Sequence, residues 1–245
     1  MPSQPAPPKA QPPGFDTLLA EGRQALRTCT YRMERKPADG GSRWAVGAVL
    51  RPDAQAARKI EQAAGAAAAV VGANHWLAGA ARSSHLSLRR HLEPSRRQVS
   101  PADPLVVLYA QALRSAAKAA GPVRFTLTGL TLTSVSVMAA AVPADTAAHD
   151  LAAAFDRALH SRGCRDAGAI PGPWYVNLAY FTGPVRDAEE LIGWVEARRL
   201  MHVADVRVTA MQIVGWQHTT TGMVPSVLAS ARPRRNLAAS ADPPA

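Results

Sequence analysis

The chain has 245 residues, of which 47% are hydrophobic and 19% charged, so it can bury a real core and is not disordered throughout. Lys+Arg 28 against Asp+Glu 18 gives a formal net charge of +10. Most of that charge is arginine, which suits anionic partners and equally fits a proteome rich in Ala, Arg and Pro. Two cysteines, Cys29 and Cys164, make neither a disulfide framework nor a zinc site by themselves, and the longest apolar runs, such as 63–73, are too short to span a bilayer.

Residues 1–14 (MPSQPAPPKAQPPG) and 232–245 are Pro/Ala/Ser-rich and read as disordered tails. The first lacks the basic start and apolar stretch of a signal peptide, so a cytoplasmic, monomeric protein with no membrane contact is expected. Phe15, Leu18, Leu19, Ala25 and Leu26 fall at helical spacing, with Asp16 as cap, and predict a peripheral helix followed by a turn at 37–41. Trp44 to Leu50 reads as a strand, and Pro52-Asp53 opens a helix to about Ala64. Ser84 to Arg90 is a strand, and Asp103-Pro104 opens a helix to about Ala119. Arg124 to Leu132 and Ser134 to Val142 are two strands around a turn. A helix follows from Asp145 or Thr146 to about Ser161, ended near Gly163. Trp174 to Phe181 is a strand, Asp187 to Arg199 a helix, and Val206 to Val214 and Val224 to Ser230 a closing strand pair.

This order predicts an α+β fold over residues 42–231, two-lobed and pseudo-symmetric about a central cleft, with 15–41 as an added helix and turn. The duplication is read from layout, since the halves share no plain repeat. Its centre is a pair of tetrapeptides. His85-Leu86-Ser87-Leu88 in a strand puts an imidazole and a hydroxyl on one face and two leucines on the other. Ninety residues on, Tyr175-Val176-Asn177-Leu178 keeps that geometry with a phenol and an amide. An imidazole beside a hydroxyl suits proton transfer next to an anionic oxygen. Continuing the first strand puts Arg89 and His91 on the same face. Glu93-Pro94 then ends it, which discounts His91 and leaves Arg89 as a candidate phosphate contact. By the same alternation Tyr175 shares its face with Phe181, and Trp174 shares the opposite face with Tyr180.

The element order and the motif H-x-[ST]-Φ resemble the 2H phosphoesterase superfamily, which includes RNA 2′,3′-cyclic phosphodiesterases and proteins labelled 2′-5′ RNA ligase. The resemblance covers about residues 42–231. His85-Leu86-Ser87-Leu88 matches its first motif in full. The second motif is degenerate, with Tyr175 where histidine is expected and Asn177 where serine or threonine is expected. In that superfamily two histidines flank the scissile phosphate, one taking a proton and one giving it, while the paired hydroxyls hold phosphate oxygens. The resemblance therefore implies an acid/base role for His85, a phosphate contact for Ser87, and no cofactor or metal. It leaves Tyr175 as a proton or hydrogen-bond donor and Asn177 as an amide donor. A phenol near pKa ~10 is a poor base at neutral pH.

His75 and His218 read as packed or surface histidines, and His149, His160 and His202 as solvated helix positions. No H-E-x-x-H, Cys/His cluster, G-x-G-x-x-G or G-K-[ST] occurs. The expected partner is a nucleotide or RNA terminus carrying a phosphate. Two readings stand: weak, metal-independent hydrolysis of a 2′,3′-cyclic or 2′-5′ phosphodiester, or a catalytically inactive binding protein that keeps the fold. A cleft adapted to another small substrate is a third.

Overall fold

A computed structural model describes residues 14–34, 46–72, 75–93, 99–164, 172–219 and 222–233. Residues 1–13 and 234–245 of the Pro-rich tails, the 37–41 turn, Trp44 and the Pro94 strand break lie outside the described residues, as do the side chains of His91 and His218.

Helix α1 spans Phe15–Arg27 and starts at Gly14 (φ 94), without the side-chain cap expected from Asp16. The helix read as peripheral buries Phe15, Leu19 and Leu26 in the core. Gly22 permits this: a Cβ there would sit 2.7 Å from Leu132, so the helix lies with its backbone against a strand.

Strand β1 is Val46–Pro52, and α2 runs Ala54–Val71, capped by Asp53 Oδ1 accepting from the Gln55 and Ala56 amides. This helix is longer than the sequence suggests. An interior Gly65 costs only about 1 kcal/mol, so the alanines around it carry the helix on to Gly72 (φ 108), whose backbone ends it. A two-residue strand β2, Trp76–Leu77, precedes β3 (Leu86–Glu93), α3 (Pro104–Ala119) and β4 (Arg124–Leu132). Then come β5 (Ser136–Pro143), α4 (Ala147–His160), β6 (Trp174–Tyr180), α5 (Ala188–Glu196), β7 (His202–Thr219) and β8 (Gly222–Ala231).

The sheet order is β2-β6-β5-β4-β7-β1-β3, with β8 beside β7, and the recorded pairs are antiparallel. The internal duplication is visible in this order. Exchanging β1 for β5, β3 for β6 and β4 for β7 maps β6-β5-β4-β7-β1-β3 onto itself. The exchange also follows the chain: β1-α2-β3-α3-β4 is repeated as β5-α4-β6-α5-β7. Strand β7 ties the lobes together, pairing with β4 through residues 202–207, with β1 through 208–214 and with β8 through 211–219.

One continuous core underlies both lobes. Leu86 and Leu88 of β3, and Val176 and Leu178 of β6, are each at most 1% exposed. At about 1.5–3 kcal/mol per buried aliphatic side chain, these four hold the two motif strands in register. Their opposite faces are left for the cleft.

Candidate functional site

The two lobes enclose a cleft of about 510 Å³, within the range of small-ligand sites. His85, Ser87 and Arg89 line it from β3, and Tyr175, Asn177 and Tyr180 from β6. The floor is aromatic. Trp216 of β7 packs against His85 with ring centroids 4.8 Å apart, and Trp76 stacks on Tyr180 at 5.0 Å.

Both motif strands carry a bulge at the same place. On β3, Ser87 faces Val49 but Arg89 faces Ala48, so Leu88 is the extra residue. On β6, Asn177 faces Met138 but Ala179 faces Val137, so Leu178 is the extra residue. A bulge shifts the alternation by one. This corrects the expected faces on β6: Tyr180 reaches the cleft, and Phe181 is fully buried in the core. Strict period-2 reading assigns them the other way round. The fourth residue of each tetrapeptide is thus both a buried anchor and the extra residue of the bulge.

The His85 ring is fixed by its own strand start. Nδ1 lies 2.8 Å from the Ser83 carbonyl, which can only accept, so Nδ1 carries the proton and Nε2 is the bare nitrogen. Burial pushes the imidazole down to about 4; the Ser83 carbonyl opposes the shift and the nearby Arg51 charge adds to it. Near pH 7 His85 is therefore neutral and presents a proton acceptor. It can begin a reaction by taking a proton, and once charged it can give that proton back. Ser87 Oγ makes no hydrogen bond among the described residues, which leaves a hydroxyl on the same face with its donor to offer.

The second half of the site is different in kind. Asn177 Oδ1 accepts from Ser136 Oγ at 3.1 Å, and Ser136 Oγ lies 3.1 Å from Thr133 Oγ1. This hydroxyl pair orients the amide so that its NH2 is available to an acceptor in the cleft. Tyr175, which pairs in register with Ala140, is half-buried along the same wall.

Arg89 is placed in the cleft wall but is only 3% exposed, and its guanidinium is ion-paired with Asp156 of α4. Arg32 and Glu34, on the segment after α1, also line the cleft and pair with each other at 3.0 Å. Both cleft arginines among the described residues are thus matched by a carboxylate. His75 is fully engaged outside the pair of motifs: Nδ1 accepts from the Thr182 amide at 3.1 Å, and Nε2 donates to the Pro184 carbonyl at 3.2 Å. His202 faces Asp205, and His160 faces Asp156, both on exposed ground. Among the described residues no group of three His, Cys, Asp or Glu side chains could hold a metal ion. No helix among them is long and apolar enough to cross a membrane.

Sequence reasoning missed Arg51, Trp216, Tyr180 and the Thr133/Ser136 pair. Arg51 had a signal, since alternation along β1 puts it on the cleft side with Gly47 and Val49. Trp216 had none, because its meeting with His85 is set by the bend and length of β7.

No protein-family model matches the sequence, and no curated protein does. Solved structures do match in fold. The TT0787 protein of Thermus thermophilus superposes with a TM-score of 0.58 at 15% identity, covering 78% of this chain and 98% of that one. E. coli LigT complexed with phosphate gives 0.52 at 14% identity, covering 79% and 99%. A protein described as a phosphoesterase gives 0.50 at 13% identity, covering 78% and 98%. The α+β architecture is shared with these proteins: the chain has the 2H phosphoesterase fold.

Proposed function

We propose that this protein binds a nucleotide or RNA end by its phosphate, in the cleft between His85-Ser87 and Tyr175-Asn177. We further propose that it supports slow, metal-independent hydrolysis of a 2′,3′-cyclic phosphodiester. One observation carries the reading. A neutral imidazole with a bare Nε2 and a Ser87 hydroxyl without a partner among the described residues face, across one cleft, an amide whose orientation is fixed by Ser136. Two donors on opposite walls can hold non-bridging phosphate oxygens, and the base beside one of them can activate water. The same fold in E. coli LigT has been solved with phosphate and with 3′-AMP, which supports a phosphate-centred cleft here.

In this assignment His85 Nε2 takes the proton of the attacking water. The leaving ribose oxygen is then assigned the Tyr175 phenol, on the facing strand, as its donor. A phenol is a weaker acid than an imidazolium, so the step it assists is slow. General acid or base help is commonly worth ~10²–10⁴-fold in rate, and one of the two is largely missing. Arg89, paired with Asp156, lies in the cleft wall and contributes positive charge beside the proposed phosphate position.

The test is hydrolysis of nucleoside 2′,3′-cyclic phosphates in EDTA by three chains. Wild type should turn over weakly, His85→Ala should abolish turnover, and Tyr175→His should raise it. Robust turnover that survives His85→Ala would place the chemistry elsewhere. A folded Tyr175→His chain that stays inert would favour a protein that binds without reacting, the reading that the second half's loss of imidazole and hydroxyl supports.

A further inference from the structure

We infer that Arg51 is a positioning residue, which locks His85 into a single tautomer by organising the turn ahead of the first motif strand. The inference rests on the reading of His85 as the base of the cleft. Arg51 lies on the cleft side of β1, yet its guanidinium ends in main-chain acceptors rather than in open space. Nη1 donates to the Ser84 carbonyl at 2.5 Å, and Nη2 donates to the carbonyls of Arg82 at 2.7 Å and Ala81 at 3.4 Å. Three of the four carbonyls of residues 81–84 are thereby committed to one planar fork. The fourth, that of Ser83, is the one that accepts from His85 Nδ1.

The rest of the turn is fastened consistently. Ser83 Oγ bonds to the carbonyls of Ala78 and Ala80, each at 3.2 Å, and the Ala81 amide donates to Glu61 at 3.0 Å. A guanidinium suits this job because its donors diverge in a plane at fixed angles. An ammonium on the same stem cannot reach three carbonyls spread along a turn. A histidine that works as a base is commonly oriented by a carboxylate, which would also stabilise its protonated form. Here the orienting acceptor is a neutral carbonyl and the charge behind it is a cation. Tautomer selection is thus obtained with less gain in basicity than a carboxylate would bring: the Ser83 carbonyl raises it and the Arg51 charge lowers it.

Other titratable and charged groups face the ring across the same cleft. They are the phenols of Tyr175 and Tyr180 on β6, the Arg32–Glu34 pair, and Arg89 with its partner Asp156. Both of those arginines are matched by carboxylates, whereas the partners of Arg51 among the described residues are carbonyls, and its charge weighs against protonation of His85.

The experiment is long-range 1H–15N correlation NMR of the 15N-labelled full chain from pH 5 to 8, with steady-state kinetics alongside. Wild-type His85 should show a protonated Nδ1 and bare Nε2 throughout, and the Arg51 side-chain protons should exchange slowly with solvent. Arg51→Lys keeps the charge but not the fork, so it should give mixed tautomers. Its kcat on a 2′,3′-cyclic phosphate should fall at least about tenfold with little change in KM, toward the ~10⁴-fold loss that a wrong tautomer can cause. Arg51→Met also removes the charge and should move the His85 titration midpoint upward. A wild-type proton on Nε2, a rapidly exchanging Arg51, or an Arg51→Lys chain with the wild-type tautomer would overturn the inference. The wild-type spectra decide even if both variants fail to fold. Because they need no turnover, a chain that binds no nucleotide but shows a locked His85 supports this inference while refuting the phosphate site.

Discussion

Replacing His85 by asparagine should remove a pH dependence of stability that one buried imidazole imposes on the whole chain. In the folded protein burial, with Arg51 adding to it and the Ser83 carbonyl opposing, holds His85 near 4, against an ordinary value of 6.5. Below pH 6.5 the unfolded chain takes up a proton that the folded chain refuses. Stability is therefore fully present above about 6.5 and is lost as the pH falls toward about 4. The whole window corresponds to about 3.4 kcal/mol, of which about 2 kcal/mol is lost between pH 7 and pH 5. The ring edge that reaches the cleft keeps some water, which makes these figures ceilings. Urea denaturation of wild type and His85→Asn at the two pH values isolates the effect. Asparagine can still donate to the Ser83 carbonyl but does not titrate, and all other titrating groups cancel in the difference. Wild type should lose about 2 kcal/mol more than the variant on going from pH 7 to pH 5. Equal losses in the two chains, within about 0.5 kcal/mol, would show that His85 is not held neutral by its surroundings.

Other perturbations test the frame around the site. Asp156→Ala should remove the carboxylate paired with the buried Arg89 and cost about 3 kcal/mol in a denaturant titration, whereas a change below about 1 kcal/mol would mean the pair contributes little. Gly22→Val should force α1 away from Leu132 and lower stability by about 1–3 kcal/mol, which a thermal melt would register as a fall in Tm. Trp216→Ala should open the His85 ring to water and raise its titration midpoint by NMR, since that ring lies against it at 4.8 Å. An unchanged midpoint would show that Trp216 contributes nothing to its desolvation.

Much of the fold could be read from the chain because its elements announce themselves by composition. The β-branched run 124–132, the Asp53 cap and the Pro104 helix start are local signals, and the structure places strands and helices on them. What escaped was non-local. The continuation of β7 to Thr219 depends on its pairing with β8, and the two-residue β2 exists only because Trp76 and Leu77 find an edge on β6. In the site, side-chain alternation correctly groups His85 with Ser87 and Tyr175 with Asn177 on cleft-facing sides. The bulges at Leu88 and Leu178 break that alternation, so it puts Tyr180 and Phe181 on the wrong faces. Arg89 illustrates a second limit. Its strand position is legible, but the carboxylate that claims its charge comes from α4, some 67 residues on.

The most direct measurement is a calorimetric titration of the full chain with 3′-AMP, 2′,3′-cyclic AMP and adenosine, repeated for Ser87→Ala. A phosphate-centred cleft predicts that both nucleotides bind at least about tenfold more tightly than the nucleoside, the worth of one charge-assisted hydrogen bond of about 1.5 kcal/mol or more. Ser87→Ala should shrink that advantage while leaving adenosine affinity unchanged. Equal affinity for nucleoside and nucleotide, or a nucleotide preference untouched by Ser87→Ala, would contradict the assignment of this cleft to phosphate.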